Sequence, residues 1–358
     1  MPLRFKKLSQ ILLERKLDAY LVVHPADIRY LTGIPSSDSW LLVTPGRSYY
    51  ITDARYSLEV RKALDRKVSV RQFKINHAAD VMEILSKKRT CRLGFDERHF
   101  SVLQFKRIKR FCPRGVKMIA CNGLVGGMRI VKDQAELRLI RQCLKENHAA
   151  YQYLRRTLRP GMTEQQVFFG LERFIRRSGV DFSFAPIIAS GPNTAFPHAR
   201  ISKRMIHKQD IILIDLGIEI QGYKSDLTRI FVSDKITKPV RDVYKAVAEA
   251  QEAAVSEIRS GISVARIDEV ARKSLKKNKL DRFFVHALGH GVGLEIHEPP
   301  RLFSRSKEIL KAGMAVTVEP GVYIPGKFGI RIEDMVLVKD SGCEILSRGS
   351  KVEQPFYL

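Results

Sequence analysis

The sequence predicts two domains, a smaller α/β domain over residues 1–127 and an α+β domain over residues 128–358. Three observations lead to this fold class. Strand-like and helix-like apolar periods alternate through the first third of the chain. The glycine-rich segment "NGLVGGMRIVKD" at 122–133 interrupts that alternation, and long helical segments followed by strands come after it. We place the domain boundary in this segment, which would also fit a loop within a single domain.

Apolar periodicity predicts the elements of the first domain in chain order. An amphipathic helix with apolar positions Leu8, Ile11 and Leu12 precedes a buried strand, "DAYLVV". The segment "SWLLVTPGRSYYIT" reads as two strands joined by a turn at Pro45 and Gly46. Two helices and two short strands are then predicted, at 53–64, 77–88, 92–96 and 116–120.

The second domain begins with helical periods and then changes to strands. Helices are predicted over 133–158 and from Thr163, where Thr163 and Gln166 have the spacing of a capping box. Strands follow from about residue 183, interrupted by two helical segments at 239–261 and 263–277. Because strands and helices are segregated along the chain, this domain is predicted to be α+β.

Composition predicts a soluble protein of the cytoplasm. Hydrophobic residues make up 44% and charged residues 28% of the chain. No apolar run reaches the roughly 20 residues that a membrane span needs, and charges interrupt the N-terminal segment where a signal peptide would be apolar. The five cysteines are scattered and odd in number, which favours reduced thiols over a disulfide framework.

The net charge of +25 admits two interpretations. It is typical of a nucleic-acid-binding surface, or of solvated helix faces in a chain rich in lysine and arginine. The surplus is spread along the chain, since residues 1–128 hold 25 Lys and Arg against 11 Asp and Glu. No zinc-finger spacing or RNA-binding aromatic motif accompanies the charge, so we expect no specific nucleic-acid partner.

The stretch "HALGHGVGLEIHEPP" at 286–300 holds three histidines, His286, His290 and His297, separated by glycines. By itself it fits either a chemical site or a glycine-rich turn. A helical zinc-peptidase motif does not fit, because no glutamate follows His286 and the glycines disfavour a helix. The interpretation therefore depends on partners elsewhere in the chain.

Two pairs of carboxylates supply such partners. Asp215 follows a run of apolar residues that predicts a buried strand, and a turn near 220–222 would bring Asp226 close across a hairpin. Either aspartate alone would fit a solvent-facing position, but a close buried pair requires a cation. Downstream, Glu319 ends an apolar strand, and period two places Arg331 and Glu333 on one strand face.

Together these residues predict a metal centre with one nitrogen and four carboxylate ligands: Asp215, Asp226, His290, Glu319 and Glu333. Oxygen ligands with one imidazole and no sulfur suit Mn, Co, Fe or Zn. Four carboxylates balance the charge of two divalent ions. Two ions about 3.5–4 Å apart share a water, lower its pKa and direct it at a carbonyl.

The motifs that hold these residues resemble those of the Xaa-Pro peptidases of the pita-bread fold, prolidase and aminopeptidase P. They are "DLGIEIQGYKSDLTR", "HALGHGVGLEIHEPPR", "MAVTVEPGVYIP" and "GIRIED", preceded by "SGPNTAFPHA" with a further histidine, His198. "IRYLTG" and "ITDARY" resemble the N-terminal domain of the same family. The resemblance covers nearly the whole chain and implies a pita-bread catalytic domain after a smaller α/β domain.

The resemblance also implies roles for individual residues. Asp226 and Glu333 are expected to bridge two metal ions, Asp215 to complete one shell, and His290 with Glu319 to complete the other. Glu319 is also expected to transfer protons. His198 and His297 are expected to act on substrate in catalysis, and His286, Arg301 and Arg331 to contribute to substrate binding, although a purely structural His286 stays open.

These roles predict a two-metal exopeptidase, with manganese the first candidate ion, that cleaves the bond before proline. Arg301 favours an Xaa-Pro dipeptidase, because a dipeptide presents a carboxylate directly after proline; aminopeptidase P, acting on longer peptides, is the alternative. The N-terminal motifs argue against a methionine aminopeptidase, and the complete ligand set argues against creatinase. It also argues against a catalytically inactive binding module, the remaining alternative.

The resemblance further implies a homodimer. The loop "TGIPSSDSWLL" at 32–42 holds Trp40, the only tryptophan, and is the candidate for the subunit contact. Burial of Trp40 in the core of its own domain is the other interpretation.

Overall fold

A computed structural model describes residues 3–87, 89–232, 236–348 and 355–357 of the chain. The chain divides into two compact units, Met1–Arg129 and Ile130–Leu358. No helix among the described residues is both long and apolar enough to cross a membrane. In the same residues all five cysteines are free thiols.

Unit 1 is built on a mixed six-stranded sheet in the order β4-β3-β2-β1-β5-β6. Strands β1–β2 and β2–β3 pair antiparallel, whereas β1–β5, β3–β4 and β5–β6 pair parallel. The strands are β1 Ala19–Val22, β2 Ser39–Val43, β3 Ser48–Thr52, β4 Val68–Gln72, β5 Cys91–Phe95 and β6 Val116–Ala120. The helices are α1 Leu3–Glu14, α2 Pro25–Thr32, α3 Ala54–Ala63, α4 His77–Ser86, α5 Val102–Phe111 and α6 Leu124–Arg129.

Every helix and strand that the periodicity predicts for this unit is present; the predicted extension of α4 to Lys88 lies outside the described residues. The glycine-rich segment after β6 is predicted to interrupt the helices and strands. Instead, the short helix α6 forms there. Tertiary burial outweighs the low helix propensity of its two glycines. Val125 is fully buried, and Arg129 donates a 2.8 Å hydrogen bond to the buried carboxylate of Asp27.

Trp40 lies in the core of its own unit. Its side chain is 8% exposed and packs among the apolar residues of the sheet and α4, with the His77 ring stacked 5.2 Å away. Of the two interpretations of Trp40, the structure supports burial within the domain.

Unit 2 has two helices before its first strand and two more between β12 and β13. The helices are α7 Gln134–Thr157, α8 Glu164–Arg177, α9 Lys238–Glu257 and α10 Val264–Lys277. The capping box predicted at Thr163 is confirmed, since its hydroxyl accepts from the Gln166 N–H and the Gln166 side chain accepts from the Thr163 N–H. This cap fixes where α8 begins.

The described strands of unit 2 form four sheets. They are ordered β11-β10-β7, β20-β12-β9-β8, β14-β13-β15-β18-β19 and β16-β17. Their bounds are β7 Asp181–Phe182, β8 Ile187–Ser190, β9 Ile211–Leu216, β10 Ile218–Ile220, β11 Tyr223–Lys224, β12 Leu227–Val232, β13 Gly289–Gly291, β14 Glu298–Leu302, β15 Ala315–Val318, β16 Gly321–Ile324, β17 Phe328–Arg331, β18 Asp334–Val338, β19 Cys343–Ile345 and β20 Phe356–Tyr357. One apolar core joins buried residues of β8, β9, β12 and β14–β18 to α9 and α10.

The hairpin predicted around residues 220–222 is present. Gln221 and Gly222 form its two-residue turn, with φ values of 49° and 81°, and β9 and β12 run antiparallel beside it. The register places Thr228 directly opposite Asp215. Asp226 precedes β12 by one residue, so it reaches Asp215 diagonally rather than directly across the ladder.

The segment 329–338 is not the single strand that its apolar alternation predicts. It divides at Ile332 and Glu333, with β17 pairing to β16 and β18 pairing to β15 and β19. Alternate residues still face opposite sides across this break. Ile330 and Ile332 belong to the apolar core, whereas Arg331 and Glu333 line a cavity. Because of this break, residues 329–338 contribute strands to two different sheets.

Gly289 permits a close approach between β13 and β15. A Cβ atom at this position would lie 2.1 Å from the backbone oxygen of Thr317, a distance that no side chain tolerates. A residue with a side chain therefore does not fit at Gly289 without a shift of the Thr317 backbone.

Replacing Gly289 with alanine is expected to force β13 away from β15. Overpacking of this kind costs roughly 1–3 kcal/mol, measured as the loss in free energy of unfolding in urea. Gly46→Ala is the control, because a Cβ there meets nothing within 4 Å, and its effect should stay within about 0.5 kcal/mol. Equal stability of the two variants would contradict the close approach.

Candidate metal centre and active site

Five predicted side chains converge on one cavity of about 910 Å³ in unit 2. They come from five places in the chain: Asp215 in β9, Asp226 before β12, His290 in β13, Glu319 after β15 and Glu333 between β17 and β18. Two sheets and the junction between β17 and β18 thus contribute to one site.

The spacing within this cluster suits metal ligation. One oxygen from each of Asp215, Asp226 and Glu333 lies within 4.8 Å of the others. His290 Nε2 is 3.6 Å from Asp226 Oδ2 and 3.3 Å from Glu319 Oε1. Two atoms that bind the same ion through bonds of about 2.0–2.2 Å lie as far from each other as these side-chain atoms do.

Burial makes this cluster costly for the protein atoms alone. Burial, followed by the charges of neighbouring carboxylates, raises the pKa of both Asp226 and Glu333 well above the usual range. The pKa of Asp215 is raised by burial and by Glu319, although the Arg331 charge opposes the shift. Four ionised carboxylates here therefore require more positive charge than Arg331 supplies.

Two fully buried oxygen atoms of the cluster have no hydrogen-bond partner among the described residues. Asp215 Oδ2 accepts from Arg331 at 2.7 Å and Glu333 Oε2 accepts from Thr228 at 2.7 Å, but the buried Asp215 Oδ1 and Glu333 Oε1 accept from none. One oxygen of each carboxylate is thus oriented by the protein, and the other is left for a cation. The donor set and these two atoms fit divalent metal ions.

A second group with metal-ligand chemistry lies in unit 1, but its charges are already balanced. It comprises His24, Asp27 and His99. Asp27 is paired with Arg129 at 2.8 Å, and the two imidazole rings stack with centroids 3.7 Å apart. Parallel rings do not direct their in-plane nitrogens at one ion, so we assign no metal to this group.

The pKa values of His290 and Glu319 are shifted in opposite directions by their mutual contact. Burial raises the pKa of Glu319, but the hydrogen bond and charge of His290 outweigh it and hold that pKa at about 2. The pKa of His290 is correspondingly raised, because Glu319 outweighs burial. His290 Nδ1 lies 3.1 Å from Gly291 O, which leaves Nε2 for the cluster.

Arg331 connects the carboxylates to the cavity wall. Its Nη2 donates to Asp215, its Nε to Thr228 Oγ1 at 3.1 Å, and its Nη1 to the Tyr323 hydroxyl at 2.6 Å. Arg331 thus orients the neighbouring Asp215 carboxylate. Its assignment to substrate binding stays a prediction, since these donors serve protein acceptors.

The Tyr323 hydroxyl joins Arg331 to His286. Burial raises the pKa of Tyr323 to about 12, so the hydroxyl keeps its proton while it accepts from Arg331. His286 Nε2 lies 3.0 Å from this hydroxyl, and burial lowers the pKa of His286, which favours a neutral acceptor ring. His286 is therefore oriented by protein contacts beside the cluster.

Sequence reasoning did not single out Thr228 and Tyr323. Thr228 is the direct cross-strand partner of Asp215, a relation that follows once the register of the β9–β12 ladder is fixed. Tyr323 lies within the motif "MAVTVEPGVYIP". The apolar alternation of this motif does not indicate that the Tyr323 hydroxyl contacts an arginine from another strand.

The remaining predicted residues, His198, His297 and Arg301, also line the cavity and are more exposed than the cluster. The rings of His297 and His290 are 4.3 Å apart, and burial lowers the pKa of His297. The Arg301 guanidinium lies over the Phe303 ring at 5.3 Å, while its backbone N–H donates to Glu308. Their positions allow contact with a bound molecule; their roles stay predictions.

Comparison with known proteins gives matches over nearly the whole chain. Residues 4–131 match the Creatinase/Prolidase N-terminal domain and residues 138–340 match metallopeptidase family M24. The Xaa-Pro dipeptidase of Pyrococcus furiosus is 31% identical over 96% of this chain and 97% of its own length.

Two solved structures extend this likeness to the fold. The Xaa-Pro dipeptidase from Bacillus anthracis has a TM-score of 0.93 at 30% identity and covers 99% of both chains. The X-Pro aminopeptidase from Thermotoga maritima has a TM-score of 0.88 at 32% identity and covers 96% of this chain and 99% of its own. The predicted fold class, a pita-bread domain after a smaller α/β domain, is confirmed.

Asp226→Asn is expected to change stability in opposite directions with and without metal. In chelator the variant should unfold at a higher temperature than the natural chain, because the neutral amide replaces a carboxylate whose ionised form is disfavoured by burial and by the neighbouring carboxylates. With Mn²⁺ at 100 times its Kd, the natural chain should gain about 2.7 kcal/mol and the variant much less. Thermal unfolding in both conditions measures this.

Asp268→Asn is the matched control. Asp268 is fully buried but already paired with Arg272 at 2.8 Å, so this variant should lose stability in both conditions and keep the full response to Mn²⁺. A natural chain that Mn²⁺ does not stabilise would contradict the metal centre.

Proposed function

Because the chain belongs to metallopeptidase family M24, we propose that it is an exopeptidase that hydrolyses the peptide bond before proline, with Xaa-Pro dipeptides as its favoured substrates. The observation that carries this proposal is the buried carboxylate cluster, in which Asp215 Oδ1 and Glu333 Oε1 accept no hydrogen bond from the described residues. Such oxygens at the wall of a cavity fit a catalytic metal centre.

We propose that the cluster holds two divalent ions, with manganese the first candidate and cobalt, iron and zinc the alternatives. Asp226 and Glu333 would bridge the ions, Asp215 would complete one shell, and His290 with Glu319 would complete the other. When bound, such ions lower the pKa of a shared water and polarise the scissile carbonyl. The charge of two divalent ions would also balance the four carboxylates.

The chain's own groups would hold substrate and move protons around this centre. The hydrogen bond and charge of His290 hold the pKa of Glu319 at about 2, so this carboxylate is ionised and suited to metal ligation. Its proposed role in proton transfer rests on the family resemblance. His198 and His297 would donate hydrogen bonds to the substrate carbonyl as negative charge develops on its oxygen. Arg331 would keep the Asp215 carboxylate in one orientation.

Aminopeptidase P activity on longer peptides is the second candidate. Two observations support it: the cavity of about 910 Å³ lies near the upper end of ordinary ligand pockets, and the similar Thermotoga maritima protein is an X-Pro aminopeptidase. A catalytically inactive binding role is disfavoured, because all five predicted ligand positions are filled.

We also propose a homodimer that works in the cytoplasm without a specific nucleic-acid partner. The dimer rests on the family resemblance, with residues 32–42 as the candidate contact apart from the buried Trp40. The reducing compartment rests on the five free cysteines.

The Mn²⁺-loaded enzyme given an Xaa-Pro dipeptide and an Xaa-Pro-Xaa tripeptide tests the choice of substrate. A dipeptide carboxylate that leaves water needs a cation, and the Arg301 guanidinium offers two parallel donors. Charge-assisted bonds of this kind contribute roughly 1.5–3 kcal/mol, so Arg301→Ala should reduce kcat/KM for the dipeptide by about ten- to a hundredfold and affect the tripeptide much less.

Arg305→Ala is the control, since Arg305 is exposed on the same segment but does not line the cavity. Arg301→Lys should recover only part of the loss, because an ammonium does not reproduce the planar fork. Equal losses on both substrates would show that Arg301 is structural, and efficient tripeptide cleavage by the natural chain would favour aminopeptidase P.

A further inference from the structure

One buried carboxylate, that of Glu164, binds both ends of the loop that carries His198. Glu164 is the first residue of α8 and its side chain is inaccessible to solvent. Its Oε1 accepts from the Ser190 N–H at 2.7 Å, the Ser190 hydroxyl at 2.8 Å and the Asn193 amide at 3.0 Å. Its Oε2 accepts from the Ser202 N–H at 3.0 Å and the Ser202 hydroxyl at 2.6 Å.

These five hydrogen bonds connect points on either side of the predicted catalytic histidine. Ser190 ends β8, and Ser202 lies four residues beyond His198. The backbone continues the attachment, since the N–H groups of Glu164 and Gln165 donate to the carbonyls of Arg204 and Ser202. The first turn of α8 therefore serves as a fixed support for both ends of the loop.

The middle of the loop is attached to the metal-site strands instead. Thr194 Oγ1 accepts from the Gly329 N–H at 2.8 Å, and the Pro197 carbonyl accepts from Arg331 at 3.1 Å. His198 follows this contact directly and lines the cavity. The position of its imidazole thus depends on the loop ends being held while the middle meets Arg331.

We propose that Glu164 is a positioning residue of the active site, which fixes His198 through the 190–202 loop without touching substrate or metal ligands itself. This inference rests on the proposed function insofar as His198 acts on substrate. The capping box of α8 explains Thr163 and Gln166 but not Glu164, whose carboxylate is directed to the loop.

Replacing Glu164 with glutamine detaches one end of the loop in either amide orientation. Both carboxylate oxygens accept from a backbone N–H, so an amide NH₂ at either position faces a donor that it cannot satisfy. Leaving a buried backbone N–H without an acceptor is costly, and the loop is expected to shift to regain one.

A double-mutant cycle of Glu164→Gln with His198→Ala tests the proposal on an Xaa-Pro dipeptide at saturating Mn²⁺. A misplacement of about 1 Å at a catalytic group reduces turnover by up to about a hundredfold, so Glu164→Gln should reduce kcat about ten- to a hundredfold, with bound metal and KM little changed. In the His198→Ala background the same change should cost less than about threefold. An equal loss of kcat in both backgrounds would overturn the proposal.

Glu136→Gln is the matched control. Glu136 is also buried near the start of a helix, α7, and accepts from the Tyr223 hydroxyl at 2.9 Å and the Asp133 N–H at 2.9 Å. It does not contact the 190–202 loop in the described structure, so its effect on kcat should be the same with and without His198. Coupling of Glu136→Gln to His198 as large as that of Glu164→Gln would contradict the proposal.

Hydrogen–deuterium exchange separates this inference from the proposed function, because it needs no turnover. Amides of residues 190–204 should exchange faster in Glu164→Gln than in Glu136→Gln or the natural chain. Ser202→Ala, which removes a single hydroxyl donor, gives a milder change in the same direction if Glu164→Gln does not fold. Unchanged exchange in this loop would refute the positioning role even if the chain cleaved no proline peptide.

Discussion

The repulsion among four buried carboxylates is the constraint on which the rest of the catalytic unit depends. Burial raises the pKa of Asp226 and Glu333 well above the usual range, while Arg331 pairs with the carboxylate of Asp215 and His290 lies against Asp226 and Glu319. A fold selected for stability alone would not retain such a group. Its persistence is explained when divalent ions supply the missing charge.

The surrounding architecture holds these carboxylates in place rather than shielding them from one another. The hairpin β9–β12 sets Thr228 opposite Asp215, the break between β17 and β18 directs Glu333 inward, and Gly289 lets the strand of His290 lie against β15. In each case the backbone geometry fixes the position of one predicted metal ligand. Arg331 then ties two of the sheets together through Asp215 and Tyr323.

The sequence predicted the cluster because charged residues in apolar strands are exceptional, and Asp215, His290 and Glu319 each interrupt such a strand or a glycine-rich turn. It did not predict Thr228 or Glu164, because a threonine in a strand and a glutamate at a helix start are ordinary in isolation. Only tertiary contacts reveal their partners. The helix at 124–129 was missed for the same reason, since burial rather than propensity forms it.

Titration of chelator-treated protein with Mn²⁺ tests the metal centre most directly. Bound ions are counted by elemental analysis, and hydrolysis of an Xaa-Pro dipeptide is measured in the same samples. We expect turnover to appear as the content approaches two ions per chain and to disappear again on chelation. Full turnover by protein that elemental analysis shows to be free of metal would contradict the two-metal site.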